Sequence, residues 1–191
     1  MLDGQTIKAK LAPHSELAHF QMRIAQQWFA RGEKTPDVFA QFFFFYAAFN
    51  ALTFLWKEVD RVQRGDIPQI ENLADKLDGT VWQELARDFA DPIGFFTRRP
   101  IERMDERTGA PSRGEAREGR RHQRVLANPT AAPSEKLRAL ANVLYMVRCN
   151  LAHGSKMMMG DDLDVIQNAV PLLRALSRRA ISRTKADFRR P

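Results

Sequence analysis

The sequence predicts an all-α protein, a helical bundle of four to five helices with a long basic loop insertion. Three observations carry this. Alanine and leucine together number 41 against 17 for valine and isoleucine, a balance that favours straight-chain helix formers over the β-branched residues that fill sheets. Apolar residues recur at three- and four-residue spacing along most of the chain. Two long segments, one on each side of a proline- and glycine-rich stretch, run with almost no helix breaker. At 191 residues, with 44% hydrophobic and 28% charged side chains, the chain has the size and apolar content of one domain spanning 1–191.

The first helix is expected from Ser15 as N-cap to Gly32, with Leu17, Phe20, Ile24 and Trp28 as its buried stripe. Thr35-Pro36-Asp37 offers a cap, a first-turn proline and an early acid for a second helix of about 28 residues, ending at Arg64-Gly65. Shorter helices follow at 68–77 and 80–90, divided by Asp78-Gly79, the latter opened by Thr80 with Gln83 in capping-box spacing. Between Asp91 and Pro133 the helical period disappears among five prolines and four glycines, which predicts a basic, partly mobile insertion over 98–133. From Pro133-Ser134 a mostly apolar helix carries Leu137, Leu140, Ala141, Leu144, Val147, Cys149 and Leu151 to His153-Gly154. Asp161 and Asp162 cap a last helix, which Pro171 should kink or restart, and 178–191 is expected as a basic tail.

The single cysteine, Cys149, excludes an intrachain disulfide, and MLDGQTIKAK is not a secretory opening; both point to a reducing cytoplasm. Val38 to Trp56 is long and apolar enough to suggest a membrane span. Its Phe- and Ala-rich composition and the mixed-sign charges on both flanks instead favour a buried bundle helix and no membrane partner. The formal charge of +7 is concentrated. Nine arginines and five acids occupy 98–124, and seven basic residues against one acid occupy 174–190. A polyanion is the expected partner of such a surface, with a solvated loop and a frayed tail as the plainer account of the same charges.

Chemistry-bearing motifs are scarce: there is no Gly-rich phosphate loop, paired-Cys zinc spacing or nucleophile elbow, and neither a metal site nor a cofactor is expected. His14 and His19 belong near or on the first helix surface, and His122 to the solvated insertion. His153 differs, because it ends an apolar helix five residues after Arg148, where the negative end of the helix dipole favours a protonated imidazole. On an ideal helix the two residues lie about 140° apart, so they converge only where the helix is ending, as Gly154 allows. The same pattern also serves as an ordinary C-cap. Cys149 is expected as a small buried hydrophobe.

The run Arg148-Cys149-Asn150-Leu151-Ala152-His153-Gly154 resembles the Arg-x4-His signature of the HEPN superfamily, helical-bundle proteins found among prokaryotic toxin, abortive-infection and CRISPR-associated ribonucleases. Phe45-Tyr46-Ala47-Ala48-Phe49-Asn50-Ala51-Leu52 is similar to the aromatic second helix of that family, which holds a polar residue near the Arg-His pair. Where many active relatives carry Asn directly after the Arg, this chain has Cys149, with Asn150 one place later. The resemblance implies a metal-independent endoribonuclease that leaves 2',3'-cyclic phosphate and 5'-hydroxyl ends. It implies His153 for proton transfer, Arg148 for phosphate stabilisation, Asn150 and Asn50 for orienting hydrogen bonds, and Lys156 for a phosphate contact. Lys156 as a solvated loop charge and Asn50 as a helix-to-helix hydrogen bond remain the alternatives. It further implies a homodimer with a composite active site, and control by an antitoxin or another regulatory protein. Arg98, Arg99, Arg120, Arg121 and Arg124 are the expected RNA contacts. A catalytically silent module that binds RNA, nucleotides or a protein partner is the alternative.

Overall fold

The structure, a computed structural model, describes residues 11–102, 113–152 and 161–189. After a 3-10 turn at Ala12–His14 it contains, among these residues, eight α-helices: α1 (Ser15–Lys34), α2 (Val38–Asp60), α3 (Asp66–Lys76), α4 (Gly79–Asp88), α5 (Ala90–Arg98), α6 (Arg113–Ala127), α7 (Pro133–Ala152) and α8 (Asp161–Arg189). The all-α class holds; the eight helices exceed the four to five expected, and two of them, α5 and α6, lie in the stretch where the helical period was read as lost.

At the centre, α2 is flanked by α1, α3 and α8, while α7 packs on α3, α4, α6 and α8. Asp37 opens α2, its carboxylate accepting from the Ala40 amide at 2.7 Å. The helix stops at Asp60, four residues short of the expected end. Arg61 turns left-handed at φ 54°, and the Val62 amide closes onto the Lys57 carbonyl at 3.1 Å. From α3, Asn72 donates to the Trp56 carbonyl (3.3 Å) and to Asp60 (3.0 Å), and Lys76 pairs with Asp60 at 2.7 Å, fixing this corner. By length and composition α2 passes the test for a membrane span, as a buried core helix also does; Phe42, Phe45, Leu52 and Leu55 are fully buried, while Phe43 and Phe54 are exposed.

The stripe expected on α1 is corrected. Leu17 and Ile24 pack against the core, but Phe20 is 52% exposed and Trp28 38%, and the fully buried face runs through Ala18, Ala25 and Gly32, seven residues apart. These small residues let α1 lie close on α2, so close that a Cβ at Gly32 would stand 2.6 Å from the Phe45 ring. The displaced Trp28 stacks outside on Phe44, centroids 5.5 Å apart. At α4 the cap is Asp78, accepting from the Thr80 amide at 2.9 Å, rather than Thr80 itself.

The insertion expected over 98–133 is ordered where it is described. Ala90–Arg98 forms α5, and Arg113–Ala127 forms α6, whose Ala116, Gly119, His122 and Leu126 are buried. Gly119 lies against the Ile101 carbonyl, where no Cβ would fit, so α6 is clamped onto the 101–102 backbone. His122, expected in a solvated loop, is 7% exposed. The expected basic tail is also helical. Pro171 does not divide α8, which runs to Arg189 with Leu172, Leu173, Leu176 and Ala180 buried. Near its end Thr184 accepts from the Trp56 indole at 3.0 Å, and Ser177 donates to the Phe45 carbonyl at 3.0 Å.

Thr184 and Trp56 are both buried, so Thr184→Val leaves the indole N–H unsatisfied; thermal or urea unfolding should show a loss of about 1–3 kcal/mol. Trp56→Phe in the same chain should shrink the further effect of Thr184→Val, as a double-mutant cycle would read. Burial pushes the His122 imidazole below its usual 6.5, against the pull of Glu118 and Glu71 and with the help of Arg121. The unfolded chain therefore takes up this proton first, so stability is full above about pH 6.5 and declines as pH falls below it. His122→Gln should flatten this part of the profile, measured as the urea midpoint between pH 5 and pH 7.5.

Candidate active site around Arg148

Three elements meet around Arg148: α7 carries it together with Tyr145, α2 brings Tyr46 against it, and the first residue of α3, Asp66, meets Tyr145. The guanidinium, half-buried, lies over the Tyr46 ring with Cζ 5.8 Å from its centroid. Among the described residues no carboxylate pairs with it. Burial pushes the Tyr46 phenol well above its ordinary range, and the Arg148 charge opposes that rise. One turn before Arg148, Tyr145 donates to Asp66 Oδ2 at 2.9 Å, and its phenol too is raised, first by burial and then by its contact with Cys149. Cys149 is 1% exposed, the small buried hydrophobe its position suggests.

The sequence pointed to Asn50 on the aromatic helix, yet Tyr46 is the residue that touches Arg148. Asn50, one turn further on, is exposed, and its side-chain oxygen accepts from Thr53 at 3.2 Å. A signal was present: the chain has only two tyrosines, and Tyr46 and Tyr145 both stand at this junction.

Asn150 points elsewhere. Two residues from Arg148 is about 200° around a helix, and the Asn150 amide donates to the Glu102 carbonyl at 2.9 Å. It borders a separate cavity of about 330 Å³, walled by Val147, Leu151, Val165 and Ile166, with Arg99 and Asp162 at the polar side. This contact holds the 101–102 segment against α7. His153 and Lys156 lie outside the described residues.

The arginines separate into tied and open ones. Arg99 bridges to Asp161 at 3.1 Å and lies over Phe95, and Arg120 pairs with Glu102 at 2.9 Å. Arg98 is exposed at the end of α5. Arg121 stands 3.6 Å from Glu118, and the Arg124 Nε donates to the Arg120 carbonyl at 3.2 Å; both remain exposed on α6. On α8, Arg174 and Arg178 engage Glu33, Arg179 reaches Glu84 at 2.5 Å, and Arg183 pairs with Asp187 at 2.8 Å. The Arg174 hydrogen bond holds the Glu33 carboxyl below its usual range. Among the described residues no group of three His, Cys, Asp or Glu side chains is placed to hold a metal ion.

No protein-family model, curated protein or solved structure matches this chain.

The buried Cys149 generates a direct check. A bulky thiol reagent such as dithiobis-nitrobenzoate should leave native protein unlabelled over minutes and label it stoichiometrically in denaturant. Fast labelling of the native form would mean that α7 does not hold its inner face against the core.

Proposed function

We propose that this protein is a metal-independent endoribonuclease of HEPN type, acting in the cytoplasm as a toxin, abortive-infection or other defence effector and leaving 2',3'-cyclic phosphate and 5'-hydroxyl ends. The observation that carries the reading is Arg148 itself: a guanidinium set on an aromatic ring, with no carboxylate partner among the described residues, near the end of the apolar helix that leads to His153. An ion pair would neutralise such a group. A ring face orients it while leaving its charge and forked donors available to a phosphate.

Cleavage requires the ribose 2'-hydroxyl to lose a proton as it attacks phosphorus, and the departing 5'-oxygen to gain one. In this reading His153 handles the proton, Arg148 donates two hydrogen bonds to the phosphorane oxygens, and Lys156 adds charge. Tyr46 holds the guanidinium in place and takes the positioning part first expected of Asn50. One chain supplies one such pair, so two copies facing each other complete the proton transfers, which is the reason for proposing a homodimer. An antitoxin or other protein would then supply control.

One observation favours the alternative, a catalytically silent module that binds RNA, a nucleotide or a protein: Cys149 stands directly after Arg148, where many active relatives of the HEPN type carry Asn. Incubating the protein with total RNA in EDTA and mapping fragment ends separates the two. The ribonuclease reading expects cyclic-phosphate ends from wild type. His153→Ala and Arg148→Ala should each lower cleavage by roughly two orders of magnitude or more, with melting temperatures close to wild type. Both variants cutting as wild type does would place the chemistry elsewhere, and no cleavage by wild type would favour the silent module.

A further inference from the structure

Helix α6 has two opposite faces. Ala116, Gly119, His122 and Leu126 press inward, and on the outer side Arg117, Arg121 and Arg124 follow one another at i, i+4 and i+7. With Val125 and Asn128 these three border an open groove of about 350 Å³. From Arg117 to Asn128 the row covers about 16 Å along the helix axis. Arg117 has no carboxylate partner among the described residues. Glu118 stands 3.6 Å from Arg121 and 3.8 Å from His122. The helix is held rigidly, since Gly119 sits on the Ile101 carbonyl, Arg120 pairs with Glu102, and Gln123 donates to the Thr97 carbonyl at 3.1 Å.

The row also has a direction. Residues 128–132 turn α6 back onto α7, so the two helices run antiparallel. The Arg117 end therefore lies beside Ile101 and Glu102, whose carbonyl takes the Asn150 amide, level with the last turns of α7. The Arg124 end lies level with the start of α7.

We propose that Arg117, Arg121 and Arg124 form a phosphate-binding row for single-stranded RNA, leading the strand along α6 toward the C-terminal end of α7. This deepens, and rests on, the ribonuclease reading above. A straight row of guanidiniums on one helix face suits the backbone of one strand. With no exposed aromatic on that face, it offers no stacking platform and hence little choice among bases. Arg117 joins the arginines that meet RNA, while Arg120, occupied by Glu102, serves to hold the helix in place, and Arg99 is occupied by Asp161.

The test is fluorescence anisotropy of labelled oligouridine of about twelve nucleotides across a salt series, with cleavage in EDTA followed in parallel. Arg117→Gln/Arg121→Gln/Arg124→Gln should weaken binding and make the log–log salt slope shallower by about 2, at about 0.7 for each single-strand phosphate that the variant leaves unneutralised. The control Arg23→Gln/Arg64→Gln/Arg87→Gln removes the same charge from exposed sites on other parts of the surface and should keep the wild-type slope. Oligothymidine of equal length should compete comparably, because a phosphate row ignores the 2'-hydroxyl. A wild-type slope in the α6 variant, or an equal loss in the control, overturns the row and leaves the ribonuclease reading intact. Oligouridine bound through the row but never cut supports the row and counts against the ribonuclease. No wild-type binding even at low salt overturns both.

Discussion

A helix of 23 residues that is apolar on nearly every side needs cover along most of its surface, with only the Phe43, Asn50 and Phe54 side left to water, and the arrangement of this protein follows from that constraint on α2. Three helices cover it, each by a different means. From α1 it receives a seam of small residues, so that the Phe45 ring can sit against bare backbone at Gly32. From α3 it receives a polar corner, where Asn72 and Lys76 satisfy the last turn. From α8 it receives leucines, together with two buried hydroxyls that meet the Phe45 carbonyl and the Trp56 indole. Those hydroxyls fix the axial position of α8 more sharply than leucines alone, since a shift of one residue would strand a buried donor.

The same fold disposes of its charge selectively. Most arginines of α8 are joined to acids on α1, on α4 or within α8 itself, so the basic C-terminal region acts as a fastening. Such exposed pairs contribute modestly to stability, yet they lower the field those arginines present to a polyanion. On the outer face of α6, Arg117 and Arg124 have no carboxylate partner among the described residues and Arg121 has Glu118 at 3.6 Å; Arg148, likewise without a carboxylate partner there, rests on an aromatic ring. Net charge on the sequence overstated the binding surface, and the pairing pattern narrows it.

The long helices were legible because their signals are local: the Asp37 cap and the unbroken apolar run of α2, the Pro133 start and leucine-rich face of α7. The α1 stripe was misplaced because Ala18, Ala25 and Gly32 carry little hydrophobicity; their value lies in what they omit, which only the neighbouring helix reveals. Helix α6 escaped for a related reason. Its buried stripe is built from alanine, glycine, histidine and one leucine, and its arginine and glycine content resembles that of a loop. At the candidate site, Arg148 could be chosen from the resemblance that its run with His153 carries. Its meeting with Tyr46 depends on how α2 and α7 approach each other, which no periodicity encodes.

The hydrogen bond between Trp56 and Thr184 joins points 128 residues apart in the chain. During synthesis α2 emerges well before α8, and α1 and α3 alone leave uncovered the side that α8 will occupy. The nascent protein therefore carries a phenylalanine-rich surface that later translation must close, an interval in which it is exposed to self-association and attractive to chaperones. The neighbours of α2 in sequence can form early, whereas the helix that completes its cover lies 128 residues further on at the Trp56–Thr184 contact.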